Sequence, residues 1–77
     1  MNILYHKQAV KAIERLDATS KKRISNAILK LPEGDIKRLR GYINLYRLRI
    51  GDWRVLFAIN ENSIIIEDVL PRGGAYK

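Results

Sequence analysis

One run constrains this chain more than any other: Tyr46-Arg47-Leu48-Arg49-Ile50-Gly51-Asp52-Trp53-Arg54-Val55-Leu56-Phe57. Apolar residues alternate with arginines, the pattern breaks once at Gly51-Asp52, and the alternation resumes. A period of two is the mark of a strand with one buried face, and a two-residue break between such runs is the mark of a hairpin. Glycine at the first central position suits a type II′ turn, which needs a positive φ there. The register then follows. Ile50 faces Trp53, Arg49 faces Arg54, Leu48 faces Val55, Arg47 faces Leu56 and Tyr46 faces Phe57. One surface takes Tyr46, Leu48, Ile50, Trp53, Val55 and Phe57, and we assign Trp53 and Phe57 to the core. The other takes Arg47, Arg49 and Arg54.

Like charges directly opposite on a sheet cost from a few tenths to about 1 kcal/mol. Arginine opposite arginine is therefore a poor choice for folding alone. An anion between the two guanidiniums removes the conflict, and arginine offers phosphate a planar, permanently charged, bidentate fork. A carboxylate on a neighbouring strand, Glu67 or Asp68, would also neutralise the pair. The two readings coexist if the acid only orients the arginines.

The rest of the chain reads around this hairpin. Asn2 to Tyr5 is a first short strand. A helix follows from about His6 to Leu16, with Ala9, Val10, Ile13 and Leu16 on its apolar side. Asp17-Ala18-Thr19-Ser20 is a turn, with Thr19 and Ser20 as helix-cap candidates. A second helix runs from about Ser20 to Leu31, burying Ile24, Ala27, Ile28 and Leu31, and Pro32 stops it. So short a connection implies an antiparallel helical hairpin lying on a sheet. Glu33 to Ile43 reads as polar and irregular, a long connection of the functional or mobile kind. The hairpin strands span about Asn44 to Ile50 and Trp53 to Ile59. Asn60-Glu61-Asn62 turns the chain into a last strand, Ser63 to Leu70. Its Ile64-Ile65-Ile66 core is apolar on both faces, so this strand belongs inside the sheet. Its register stays open, since a two- or a three-residue loop fits. The order is β-α-α-β-β-β: an α+β fold with an N-terminal helical hairpin packed on a small antiparallel sheet.

At 77 residues the chain makes one domain, residues 1–77. The formal charge of +7 favours nucleic acid or an acidic protein as partner. Lys21-Lys22-Arg23 reads as a solvated helix face, whereas the hairpin arginines are held rigidly between apolar residues. There is no cysteine, which excludes disulfides and thiolate metal sites and fits a reducing compartment. No signal-peptide layout and no membrane-length apolar run is present, so a cytoplasmic protein without membrane contact is expected.

Familiar nucleophile sets are missing. His6 is the single histidine and falls at a helix start, where a terminal or surface role outweighs catalysis. Glu67 and Asp68 are adjacent on a strand and point to opposite faces, so they cannot flank one bond. No metal-ligand spacing and no glycine-rich phosphate loop occurs. Arg47, Arg49, Arg54, Arg72 and Tyr76 remain, and they suit phosphodiester chemistry. RNA brings its own nucleophile, the 2′-hydroxyl. Arginines aimed at the phosphate stabilise the charge that builds up there. A tyrosine among arginines has its phenolate favoured and can serve as base; packing of the tail on the sheet is the other role open to Tyr76.

Leu39-Arg40-Gly41, the Tyr46–Phe57 block and Pro71-Arg72-Gly73-Gly74-Ala75-Tyr76-Lys77 together resemble the RelE/ParE toxin superfamily, and more narrowly the RelE branch of type II toxin–antitoxin systems. The resemblance implies cleavage of messenger RNA in the ribosomal A site, without metal or cofactor. It places the catalytic set on Arg47, Arg49, Arg54, Arg72 and Tyr76, with Lys37, Arg38, Arg40 and Arg47 against ribosomal RNA. It implies a small acidic antitoxin, encoded alongside, forming a hetero-oligomer with the toxin. Well-known members carry lysines where Arg47 and Arg49 stand. Arginine does not give up its proton, so the role of base moves to Tyr76. Longer relatives continue into a further helix after this point, so contacts through such a helix are not expected. Two alternatives differ in class: gyrase inhibition without nuclease activity, as in the ParE branch, and a basic RNA-binding module without activity.

Overall fold

The computed structural model describes residues 2–71. Strand β1 (Asn2–Tyr5) leads into helices α1 (Lys7–Glu14) and α2 (Ala18–Leu29), then strands β2 (Asp35–Arg38), β3 (Leu45–Ile50), β4 (Trp53–Asn60) and β5 (Ser63–Pro71). The strands form one sheet in the order β1-β5-β4-β3-β2. Both helices contribute to a single core on one face of it. The α+β architecture read from the sequence is therefore present, with two differences. The stretch taken as irregular contains an edge strand, β2, antiparallel to β3. The first strand runs parallel to β5, so the sheet is mixed.

The hairpin register is the expected one at every pair from Tyr46↔Phe57 to Ile50↔Trp53. Gly51 has φ +56, and Asp52 is not in the left-handed region, as a type II′ turn requires. Leu48, Val55 and Phe57 are buried, and Trp53, Tyr46 and Ile50 pack around them. The Tyr46 and Phe57 rings stack with centroids 5.6 Å apart. Strand β5 lies inside the sheet, as its two apolar faces demand. Its open register resolves to a two-residue loop, with Asn60 opposite Ser63 and Glu61 at φ +27. A bulge between Leu56 and Phe57 sets Asp68 opposite Leu56 but Ile66 opposite Phe57, and so accommodates Glu67 as an extra residue.

At the helix starts, His6 takes the terminal role expected of it, whereas the cap of α2 is not the expected residue. His6 caps α1, its Nδ1 accepting from the Gln8 main-chain N–H at 3.1 Å. Ala9 rather than Val10 is the buried residue of α1; Val10 is exposed. Asp17, not Thr19 or Ser20, caps α2: its carboxylate accepts from the Ser20 main-chain N–H at 3.1 Å. An aspartate three residues before that N–H has the reach a cap needs. Ile24 and Ile28 are fully buried, with Ala27 and Leu31 beside them.

Hydrogen bonds from Ser20, its side chain first and its main-chain N–H second, hold the Asp17 carboxyl below its ordinary value of 3.8. A depressed folded-state value makes the cap stabilising above the unfolded value, and this contribution disappears as pH falls through the folded one. Asp17→Ala should lower the thermal midpoint at neutral pH, and the gap to the parent should close below about pH 3.8. Circular dichroism melts across pH 2–7 would check this; a gap independent of pH would contradict it.

Candidate functional site

The helix-free side of the sheet is where the hairpin arginines fall, because β3 and β4 bury their alternate residues under the helices. Arg49 and Arg54 are direct cross-strand partners, and Arg47 stands opposite Leu56. Strand β2 extends this surface. It sets Asp35 opposite Arg49 and Lys37 opposite Arg47. Its approach is close: Gly34 has φ +129, and a Cβ there would lie 2.8 Å from the Leu48 Cδ1 atom. A side chain at Gly34 would therefore push the start of β2 off the buried Leu48.

A carboxylate does meet the arginine face, but it is not Glu67 or Asp68. Asp35 supplies the carboxylate. Its Oδ2 accepts from Arg49 Nε at 2.9 Å, and its Oδ1 lies 3.6 Å from an Arg47 terminal nitrogen. The Asp35 main-chain oxygen also accepts from Arg47, at 3.5 Å. Asp68 is engaged elsewhere, accepting from Gln8 Nε2 and from the Val69 main-chain N–H, both at 2.8 Å. Residues 33–43 show too short an alternation for a strand to be read there. The usable signal is Asp35-Ile36-Lys37, polar on either side of one apolar residue after a glycine.

Arg47, Arg54, Lys37, Arg38, Arg40 and Leu39 line a cavity of about 360 Å³. Among the described residues, every charged side chain on its walls is basic. Arg47 is held deep, its side chain only 13% exposed. Arg54 is half-buried and its Nε is shielded from solvent. Arg38 donates to the Ile43 main-chain oxygen at 2.8 Å, tying the β2–β3 connection over the cavity rim. A larger depression, about 540 Å³, is lined by Arg49 together with Arg23, Asn26 and Ala27 of α2, where the sheet edge meets that helix. There Arg23, Lys30 and Arg49 meet Glu33 and Asp35, so opposite charges partly cancel. The smaller cavity therefore concentrates positive potential, and arginine is the side chain whose planar fork suits a phosphate.

The structure thus brings together five of the residues nominated from the sequence: Lys37, Arg38, Arg40, Arg47 and Arg54. Arg49 joins them on the same face as the cross-strand partner of Arg54, although it does not line this cavity. Arg72 and Tyr76 lie outside the described residues. No cluster of three or more histidine, cysteine, aspartate or glutamate side chains able to hold a metal ion occurs among the described residues. None of the described helices is long and apolar enough to cross a membrane.

Comparison with known proteins agrees across sequence and structure. Residues 3–76 match the family model described as the ParE toxin of the type II toxin–antitoxin system parDE. The chain is 36% identical over 87 residues to Toxin RelE3 of Methanocaldococcus jannaschii, covering 99% of this chain and 96% of that protein. Its structure is similar to the toxin in the RelB–RelE antitoxin–toxin complex of Methanococcus jannaschii, with a TM-score of 0.78 and 31% identity, covering 88% of each chain. It is similar too to the archaeal RelE–RelB complex of Pyrococcus horikoshii OT3, with a TM-score of 0.75 and 33% identity, over 96% of this chain and 97% of the other.

Proposed function

This chain belongs to the RelE/ParE toxin superfamily of type II toxin–antitoxin systems, and within it we propose a ribosome-dependent endoribonuclease that cleaves messenger RNA in the A site. One observation carries the reading: a rigid, cation-lined cavity on the open sheet face, with Arg47 and Arg54 on adjacent strands. The 2′-hydroxyl of the RNA attacks the neighbouring phosphorus and the bond to the 5′-oxygen breaks. A cyclic 2′,3′-phosphate results, and the departing 5′-oxygen takes a proton from water to become a free 5′-hydroxyl. Arg54 and Arg47 hold the non-bridging oxygens, where negative charge grows in the transition state. In this reading Tyr76 takes the 2′-hydroxyl proton and Arg72 shares the phosphate. Lys37, Arg38 and Arg40 extend the positive surface toward ribosomal RNA, whose backbone attracts such side chains without regard to sequence. The chemistry needs no cofactor, and its place is the cytoplasm, where ribosomes work.

The partner in this reading is a small acidic antitoxin. Support comes from the two archaeal RelE relatives, each solved with its RelB, and from the net charge of +7. Exposed Val10 and Leu29 give the helices apolar footholds for it.

Induction of the protein in growing cells, followed by primer extension across translated messages, tests the reading. New 5′ ends inside reading frames, absent when translation is blocked, are expected. Intact messages at a dose that arrests growth would overturn it. The ParE name of the matching family model favours gyrase inhibition as the second reading. Inhibited supercoiling by purified gyrase, with messages intact, would establish that one instead.

A further inference from the structure

We propose that Asp35 is a positioning residue for this site, one that orders Arg49 and Arg47 from behind so that their guanidiniums meet an RNA phosphate already aligned. The inference rests on the nuclease reading. Asp35 opens the edge strand β2 opposite Arg49. Its two carboxylate oxygens serve two different arginines, Oδ2 taking Arg49 at 2.9 Å and Oδ1 facing Arg47 at 3.6 Å. The Arg49 contact uses Nε, so it grips the side of the guanidinium and not the tip of the fork. Arg47 is fixed further by the Asp35 main-chain oxygen.

Placement separates this role from that of a competitor for the RNA. Asp35 does not line the cavity that Arg47 shares with Arg54; with Arg49 it lines the neighbouring depression beside α2. Gly34 fixes the carboxylate's height, since its close approach to Leu48 seats the start of β2 against the core. The physical gain is preorganisation. An arginine loses much rotamer freedom on gripping a phosphate, and a side chain ordered beforehand does not lose it in the transition state.

The test compares the full chain with Asp35→Asn and Asp35→Glu on ribosomes translating a defined message. Asp35→Asn removes the charge and one acceptor. It should lower kcat on the order of 10–100-fold, the scale of a misplaced catalytic group, with KM changed by no more than about threefold. Asp35→Glu, which keeps the carboxylate, should recover most of the loss. An unchanged or raised kcat in Asp35→Asn, or a loss that Asp35→Glu does not relieve, overturns the proposal. Asp35→Ser replaces Asp35→Asn should the latter fail to fold. A second readout does not need cleavage: the salt dependence of binding to a fluorescent single-stranded RNA 12-mer. Disordered arginines neutralise fewer phosphates, so the log–log slope for Asp35→Asn should be shallower by about 0.7 for each phosphate that is no longer neutralised. An equal or steeper slope means that Asp35 only balances charge, and also overturns the proposal. Should the parent protein cleave nothing, the nuclease reading falls by itself, and the slope still decides the role of Asp35.

Discussion

Arg54→Ala is expected to lower message cleavage by about 10²–10³-fold, the scale of removing one preorganised donor to a developing negative charge. Arg54 combines three properties that no other described cation shares. It lines the cation-only cavity, it is the cross-strand partner of Arg49, and its Nε is shielded from solvent. A guanidinium held this way cannot be replaced by a swinging lysine. Arg54→Lys should therefore restore RNA affinity more than rate, because it returns charge without the planar fork. Cleavage rate and RNA binding measured on the same preparations would check both, with a thermal melt to confirm the fold. Full cleavage by Arg54→Ala would remove Arg54 from the site.

Phe57→Ala should be the most damaging single change to the fold. Its ring is fully buried, stacks on Tyr46 and pairs across the sheet with Ile66. Truncating a buried phenylalanine costs about 3–5 kcal/mol, and a domain this short has on the order of 5–10 kcal/mol in total. Urea denaturation should show a midpoint reduced by roughly half, with Phe57→Leu much closer to the parent because it leaves a smaller void. The consequence reaches the site, since Phe57 lies on the strand that carries Arg54. Phe57→Ala should lose activity in proportion to its unfolded fraction, whereas Arg54→Ala loses it while folded.

Much of this fold is legible in the residue order alone. The hairpin register follows from the alternation, since a one-residue slip would turn Leu48, Val55 and Phe57 to solvent and three arginines into the core. The buried stripe of α2 follows from spacing in the same way, with Ile24 and Ile28 one turn apart. In α1 the spacing is less decisive. Ala9 and Val10 are neighbours, and it is Ala9 that the packing of α1 against β5 buries. The cap of α2 falls two or three residues before the expected position because Asp17, Thr19 and Ser20 are all capping types.

The family resemblance and the charge pattern nominate the same arginines, yet neither foretells how they are held. Local order dictates what repeats within a few residues: strand alternation, helical stripes, a glycine turn. It says little about which distant segment supplies an edge. Asp35 lies 14 residues before Arg49 in a stretch without a legible period. Its strand exists because Leu48 offers a buried surface, Gly34 lets the chain come close to it, and β3 has an edge to be paired. The parallel docking of β1 on β5 has the same origin. Sequence patterning set where the positive charges stand along the hairpin; packing chose the carboxylate that orders them and closed the walls of the cavity they share.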